Sequence, residues 1–147
     1  MQGRNALLGL TVVVVFSLLV VGASVTSNHY GGLCGLNTPE DWPLCNGQLF
    51  PPPDVGAVVE YTHRILASLS GLFLILTALV FWRAKDAPSG ARKLIYLALI
   101  SVLVEIAIGG VVVNTNLSAS VVTLHQAFAL LVFGFTVGAA AISLRKA

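Results

Sequence analysis

Four long apolar runs, separated by three more polar segments, make up this sequence. The runs are Ala6–Val25, Val55–Trp82, Leu94–Val113 and Val121 to about Leu144. Each is long enough to cross the roughly 30 Å hydrocarbon core of a bilayer as a helix. The pattern predicts an all-α, polytopic membrane protein with helices at approximately 6–26, 55–82, 94–113 and 120–144.

The first run has a second interpretation. Arg4 precedes it and the small residues Gly22-Ala23-Ser24 lie near its end, as in a secretory signal peptide. Its apolar core is longer than the roughly 7–15 residues of such a peptide. The length therefore favours a helix that is retained in the protein.

The polar segments are links, and the first is the longest. Residues 27–53 are rich in Gly, Pro and Asn turn signals, and Asp54 then offers an N-cap for the second helix. The links at 83–93 and 114–120 are short, which predicts an up-down-up-down four-helix bundle as a single membrane domain, 1–147.

The basic residues predict the orientation of this bundle. Except for Arg64 near the start of the second run, they fall on the side that carries both ends of the chain, whereas 27–53 and 114–120 contain no Lys or Arg. The positive-inside rule then puts both termini in the cytoplasm of a multi-pass cell-membrane protein. The residues that carry this prediction are Arg4, Arg83, Lys85, Arg92, Lys93, Arg145 and Lys146. Aromatic residues mark the two interfaces, namely Trp82 and Tyr96 inside and Tyr30, Trp42 and Tyr61 outside.

Composition agrees with a membrane protein and excludes other classes. The chain has 147 residues, of which 56% are hydrophobic and 10% charged, against about 25% charged in soluble domains. The net charge is +2. No basic patch for nucleic acid and no Gly-rich phosphate loop is present.

Both cysteines, Cys34 and Cys45, lie in the first link. If that link faces an oxidising space, a disulfide between them is plausible. A structural cross-link is the first interpretation, and a redox-active pair is the alternative.

The candidate chemistry begins with Glu60-Tyr61-Thr62-His63-Arg64, near the start of the second apolar run. At about 100° per residue, Glu60, His63 and Arg64 share one helical face. Ionisable groups inside a membrane segment are costly, so the cluster is a candidate functional site.

A second histidine lies at a matching depth. His63 and His125 each precede an arginine, Arg83 and Arg145, by 20 residues, or roughly 30 Å of helix. Their helices are diagonal in the predicted bundle, on the order of 13 Å apart for neighbours at 8–10 Å. Two inward imidazoles could hold a heme iron across that gap. Small residues that would leave room for it follow on the same faces, at Ala67, Ser70, Gly71 and Ala129.

Other interpretations of these residues stay open. The histidines could be hydrogen-bonding helix contacts, or part of a zinc site with His29 and the cysteines, although zinc needs three or four ligands. Arg64 could pair with Glu60, bind a heme propionate or extend to the interface. Glu60 could be a base, a proton relay or a counter-ion. Glu105, near mid-membrane, could be a helix-bonding acid or part of a proton path.

Three stretches of this sequence together resemble heme A synthase of the cytochrome oxidase assembly pathway. Glu60–Arg64 matches the family's Glu-x-x-His-Arg motif, and Asp41–Pro51 resembles its first outer loop, where a cysteine pair is typical. Gly109–Val113, followed by Leu124-His125, resembles its third-to-fourth helix region.

The resemblance implies an enzyme that oxidises the methyl group of heme O to the formyl group of heme A. It implies His63 and His125 as axial iron ligands, Glu60 as an essential acidic residue beside the heme, and Cys34–Cys45 as the outer-loop pair. Because two axial histidines leave the iron no position for oxygen, we expect water to supply the oxygen atom.

The chain departs from the family in two ways. The usual member has eight helices in two similar halves, each with a histidine pair, and in it one heme is substrate and the other a heme b relay. This chain resembles the half that carries the Glu motif, so we expect a homo-oligomer. We also expect a heme O synthase and an electron acceptor such as a quinone as partners. The interval between the cysteines, at Gly35–Glu40, is longer than is usual in the family.

Two other functions use the same pattern. A membrane cytochrome b with two axial histidines could pass electrons between a quinone and an outer acceptor, without needing Glu60. A structural assembly subunit would use the histidines only as helix contacts, without a cofactor.

Overall fold

The computed structural model describes residues 2–35 and 44–145. Four helices account for most of them, namely α1 (Gln2–Ser27), α2 (Val55–Arg83), α3 (Ser89–Asn114) and α4 (Ala119–Arg145). All four are long and apolar enough to cross a membrane. The predicted all-α, four-helix membrane architecture is therefore confirmed. The interfacial Trp42, the basic Lys146 and the loop stretch Leu36–Pro43 lie outside the described residues.

The helices form a bundle of two hairpins. Within a hairpin, α1 packs closely on α2 and α3 packs closely on α4. Across hairpins, α1 touches α4 and α2 touches α3 more sparingly, while the pairs α1–α3 and α2–α4 make no close backbone contact. The helices α2 and α4, which carry the two histidines, are therefore diagonal.

We call the end of the bundle that carries residues 2 and 145 the terminal end. All four helices contribute buried side chains there. The largest is Phe81, which is fully buried, and the guanidinium of Arg4 lies 5.5 Å from the centre of its ring. The rest of this core consists of Leu8, Ala78, Ala87, Ala91, Ile95 and Ala139. A second cluster continues toward mid-bundle, with Val15, Leu74, Ala98, Val102 and Val132.

Small polar side chains join the helices within this packed region. The hydroxyls of Thr11 and Thr77 are 2.8 Å apart between α1 and α2, and Ser143 donates a hydrogen bond to Asn5 over 2.8 Å between α4 and α1. Such bonds and small residues replace the missing hydrophobic driving force between helices in lipid.

An ion pair fixes the link between the hairpins. Arg4 binds Asp86 in the 84–88 link at 2.9 Å. The hydrogen bond from Arg4 lowers the pKa of the Asp86 carboxyl below its ordinary value. The terminal end is thus held by packing, by hydrogen bonds of small polar side chains and by the Arg4–Asp86 ion pair.

Two helix starts show how local chemistry sets the element bounds. The Asp54 side chain accepts a hydrogen bond of 2.9 Å from the backbone N–H of Ala57, which confirms the predicted cap of α2. By contrast, α3 begins at Ser89, earlier than the Leu94 suggested by hydropathy. Pro88 stands at its N-cap, and Ala91 in the first turn is fully buried against the terminal-end core. Tertiary packing therefore extends the helix through the Ser89-Gly90 turn signal.

Candidate functional site

The opposite end of the bundle, which we call the disulfide end, carries both candidate histidines. His63 lies eight residues after the start of α2 and His125 six residues after the start of α4, roughly 12 Å and 9 Å along each helix. Both are partly buried, and the two imidazoles are near enough to interact electrostatically. The structure thus brings the two rings to similar levels on diagonal helices.

Each histidine ring lies against a glycine of the other helix in its own hairpin. A Cβ atom added to Gly22 of α1 would lie 2.9 Å from Cε1 of His63, and one added to Gly109 of α3 would lie 3.2 Å from Cε1 of His125. Real Cβ atoms rarely approach so closely, so the two glycines make room for the two rings. Sequence reasoning missed both positions as ring contacts.

His125 has a carboxylate beside it. Oε1 of Glu105, on α3, lies 3.1 Å from Nδ1 of His125. That separation suits a hydrogen bond, although the in-plane direction of an Nδ1–H does not point at the oxygen. Near His63 the corresponding polar group is the backbone carbonyl of Leu18.

Glu60 and Arg64 form a buried ion pair within α2. Nη2 of Arg64 is 2.8 Å from Oε1 of Glu60, and their side chains are 6% and 7% exposed. The other oxygen, Oε2, accepts a hydrogen bond of 2.9 Å from the backbone N–H of Cys34. Arg64 also donates to the carbonyls of Cys34 and Leu44, at 3.3 and 2.6 Å. Rather than extending to the interface, Arg64 turns into the protein and binds the loop.

The loop that receives these bonds is closed by a disulfide between Cys34 and Cys45, which confirms the predicted pairing. Both cysteines are fully buried and pack against Ala57 of α2. The hydroxyl of Tyr61 donates to the carbonyl of Leu49. Side chains from the first three turns of α2 therefore anchor the cross-linked loop to the helix segment that carries His63.

The disulfide end lacks the packed interior of the terminal end. Among the described residues, α1 has no buried side chain beyond Val15, α3 none beyond Glu105, and α4 none before Val132. A cavity of about 20 Å³ lies where the core stops, lined by residues of all four helices, among them Ser70, Glu105 and Ala129. Ser70 and Ala129 are two of the small residues expected to leave room beside the histidines.

These features fit a heme. Two imidazoles on diagonal helices can supply two axial nitrogen ligands, and few of the described side chains of α1, α3 and α4 are buried at their level. Nδ1 of His63 is buried and makes no hydrogen bond of ordinary geometry within residues 2–35 and 44–145, although the Leu18 carbonyl lies near the ring. No three His, Cys, Asp or Glu side chains of the described ranges come together as a zinc site requires.

Comparison with known proteins adds independent information. The family described as COX15-CtaA, Cytochrome oxidase assembly protein, matches residues 54–147. A protein named Heme A synthase from Symbiobacterium thermophilum is 35% identical over 116 residues, which are 78% of this chain and 36% of that protein. The Heme A synthase of an Exiguobacterium species is 32% identical over 117 residues, 79% of this chain and 38% of that protein. No solved structure matches the chain.

The match to a further relative extends over nearly all of the chain. The Heme A synthase of Shouchella clausii is 31% identical over 139 residues, 92% of this chain and 44% of that protein. The resemblance drawn from the motifs is therefore confirmed. The chain spans about two-fifths of the length of these relatives.

Proposed function

We propose, from the premise that this chain belongs to the COX15-CtaA family of cytochrome oxidase assembly proteins, that it acts as a heme A synthase. In the proposed reaction the methyl group of heme O becomes the formyl group of heme A. The observation that carries the proposal is the pair of imidazoles, His63 and His125, which lie at similar levels on diagonal helices at the disulfide end of the bundle.

His63 and His125 would hold the iron of heme O, one from each hairpin. Bound heme supplies a redox-active iron and a conjugated ring from which electrons can be withdrawn. Arg64 places a buried guanidinium within one residue of His63, and a planar guanidinium suits the carboxylate of a heme propionate. In this proposal Arg64 orients the substrate while it remains bound to the loop.

The reaction requires proton acceptors and electron acceptors. One methyl group and one water become one formyl group, four protons and four electrons, so a quinone-type acceptor would have to take two electrons twice. Glu60 is the proposed proton acceptor, since it is a buried carboxylate one turn from His63. A carboxylate has about four lone-pair sites, so Glu60 can accept a proton while it keeps its bonds to Cys34 and Arg64.

The assembly is proposed to contain more than one copy of the chain. Because the chain spans about two-fifths of the length of its relatives, a second copy would supply a second histidine pair, which could carry a heme b as an electron relay. Both termini are proposed to lie in the cytoplasm and the disulfide outside the cell membrane, and a heme O synthase is the proposed source of substrate.

The direct test is to express the chain in cells that make heme O but have no other heme A synthase, and to identify the extracted heme by mass spectrometry. We expect heme A in cells that express the chain and none in cells that do not. A red protein that binds heme but yields only heme O or heme b would instead identify a membrane cytochrome b.

The role of Glu60 is tested separately. Glu60→Gln should keep the bound heme and stop heme A formation, because the amide retains hydrogen-bonding capacity but is a poor base. Asp54→Asn, at an exposed acidic position of the same helix end, is the matched control and should leave heme A output unchanged. Normal heme A output from Glu60→Gln would remove Glu60 from the mechanism.

A further inference from the structure

Glu105 is a buried carboxylic acid that the proposed mechanism does not use. It lies on α3, about 8% exposed, and within residues 2–35 and 44–145 no Lys or Arg forms a salt bridge with it. A group of this kind is costly inside a membrane segment and marks a functional position by default. Its Oε1 lies 3.1 Å from Nδ1 of His125.

The two hairpins place a glycine at the same position relative to the histidine, and comparing the residues near these glycines shows what is unusual about Glu105. Gly22 and Gly109 each contact the histidine of their own hairpin, and each lies five residues before the end of its helix. Four residues before these glycines the chain has Leu18 in α1 and Glu105 in α3. The two positions are equivalent, yet only the second offers a side-chain oxygen to its histidine.

We infer that Glu105 is a positioning residue for His125, whose Nδ1–H donates a hydrogen bond to its Oε1 so that Nε2 is left as the ligating nitrogen. The two atoms already lie within hydrogen-bond distance, and the proposed bond requires the ring to turn until Nδ1–H points at Oε1. Ligating histidines usually donate their other ring N–H to a carboxylate, a carbonyl or water, which fixes the tautomer and makes the ring a stronger ligand. This inference rests on the proposed heme ligation by His125.

The correspondence also predicts that the imidazoles of the two axial histidines differ in hydrogen-bond partner and therefore in electron density. The backbone carbonyl of Leu18 is the polar group recorded beside the ring of His63, whereas His125 has a carboxylate. A hydrogen bond to a carboxylate increases the electron density of an imidazole and so favours ferric over ferrous iron. Removing the Glu105 oxygen should therefore shift the midpoint potential of bound heme to a more positive value.

The test compares Glu105→Leu, which copies the residue at the equivalent position in α1, with Glu105→Gln, which keeps a side-chain oxygen. Ser101→Ala, one turn away on the same helix, is the matched control. The readouts are heme affinity, the midpoint potential, and the tautomer of His125 by nitrogen NMR in the heme-free protein. In wild type we expect the proton on Nδ1.

The expected result is a loss of heme affinity of about 10- to 100-fold for Glu105→Leu, the usual effect of removing a partner of a metal ligand. Its potential should rise and the His125 proton should no longer be confined to Nδ1. Glu105→Gln should recover most of the affinity and the wild-type tautomer, and Ser101→Ala should match wild type throughout.

Two results would overturn the inference. One is a Glu105→Leu variant with wild-type tautomer, affinity and potential. The other is an equal loss in all three variants, since that would show a packing effect along α3. Failure of the proposed function looks different, because wild-type protein would then bind no heme or would lose none of it on substitution of His125.

Discussion

The terminal and disulfide ends of this bundle are built from the same four helices but are held together differently. At the terminal end, side chains from every helix interlock around Phe81. At the disulfide end, among the residues described, α3 buries Glu105 while α1 and α4 bury no side chain, and the loop is held by a disulfide and by the Glu60–Arg64 pair. A bundle that is closed by packing at one end can leave the other end available for a large flat ligand.

The largest expected effect tests whether the disulfide end is a ligand site. His63→Ala and His125→Ala should each abolish stable heme binding, with a loss beyond the roughly 10–100-fold caused by removing an outer-shell partner. The loss of the strong visible heme band measures this. The control is His29→Ala, at an exposed loop histidine. If either helix variant kept a wild-type spectrum, the ligand assignment would be wrong.

The next effect tests whether stability resides at the packed end. Phe81→Ala should lower the free energy of unfolding by about 3 kcal/mol, the low end for Phe→Ala, since in a membrane the lost term is packing and not transfer from water. Unfolding by SDS in mixed micelles measures it. Val111→Ala, at an exposed position of the disulfide end, should change stability by less than about 0.5 kcal/mol. Equal losses in both variants would remove the contrast between the ends.

A somewhat smaller effect concerns the covalent cross-link. Replacing both Cys34 and Cys45 by Ser should lower the free energy of unfolding by about 2–3 kcal/mol, because the disulfide closes a short loop. The same unfolding assay with and without reductant measures it. Reductant should destabilise wild type and leave the double variant unchanged. A wild-type protein insensitive to reductant, with the bond shown to be reduced, would contradict a structural role for the disulfide.

The smallest effect probes the fit of the rings. Gly22→Ala should weaken heme binding by about tenfold, as expected for overpacking that costs roughly 1–3 kcal/mol. Gly109→Ala should have a smaller effect, since its Cβ would be 3.2 Å and not 2.9 Å from the imidazole. Gly9→Ala and Gly110→Ala are matched controls, because a Cβ at either position meets nothing within 4 Å. Heme titration measures all four, and equal affinities would show that the rings do not need the glycines.

The contrast between the ends also explains which features the sequence could predict. The four helices, the Asp54 cap and the cysteine pairing depend on local composition and spacing, and all three are confirmed. The early start of α3 was not predicted, because its first turn is stabilised by contacts with distant residues and not by its own Ser89-Gly90 pair.

The arrangement of the candidate site was predicted only where local spacing determines it. Equal spacing from Arg83 and Arg145 was enough to place His63 and His125 at matching depths. The bonds from Glu60 and Arg64 to the cysteine loop join residues 20 to 30 positions apart, so no local pattern could reveal them. The glycine contacts and the Glu105–His125 approach were missed, although the equal distance of Gly22 and Gly109 from their helix ends is a signal that could have found them.

The division of the bundle into two hairpins has a consequence for how the protein is assembled. Each hairpin is closely packed within itself and carries one histidine, while contacts between the hairpins are sparse. If both rings bind one iron, the metal joins the two hairpins at the disulfide end, where few buried side chains connect them. Loading with heme would then be the final step of folding, and the empty protein would be the form most open to proteolysis.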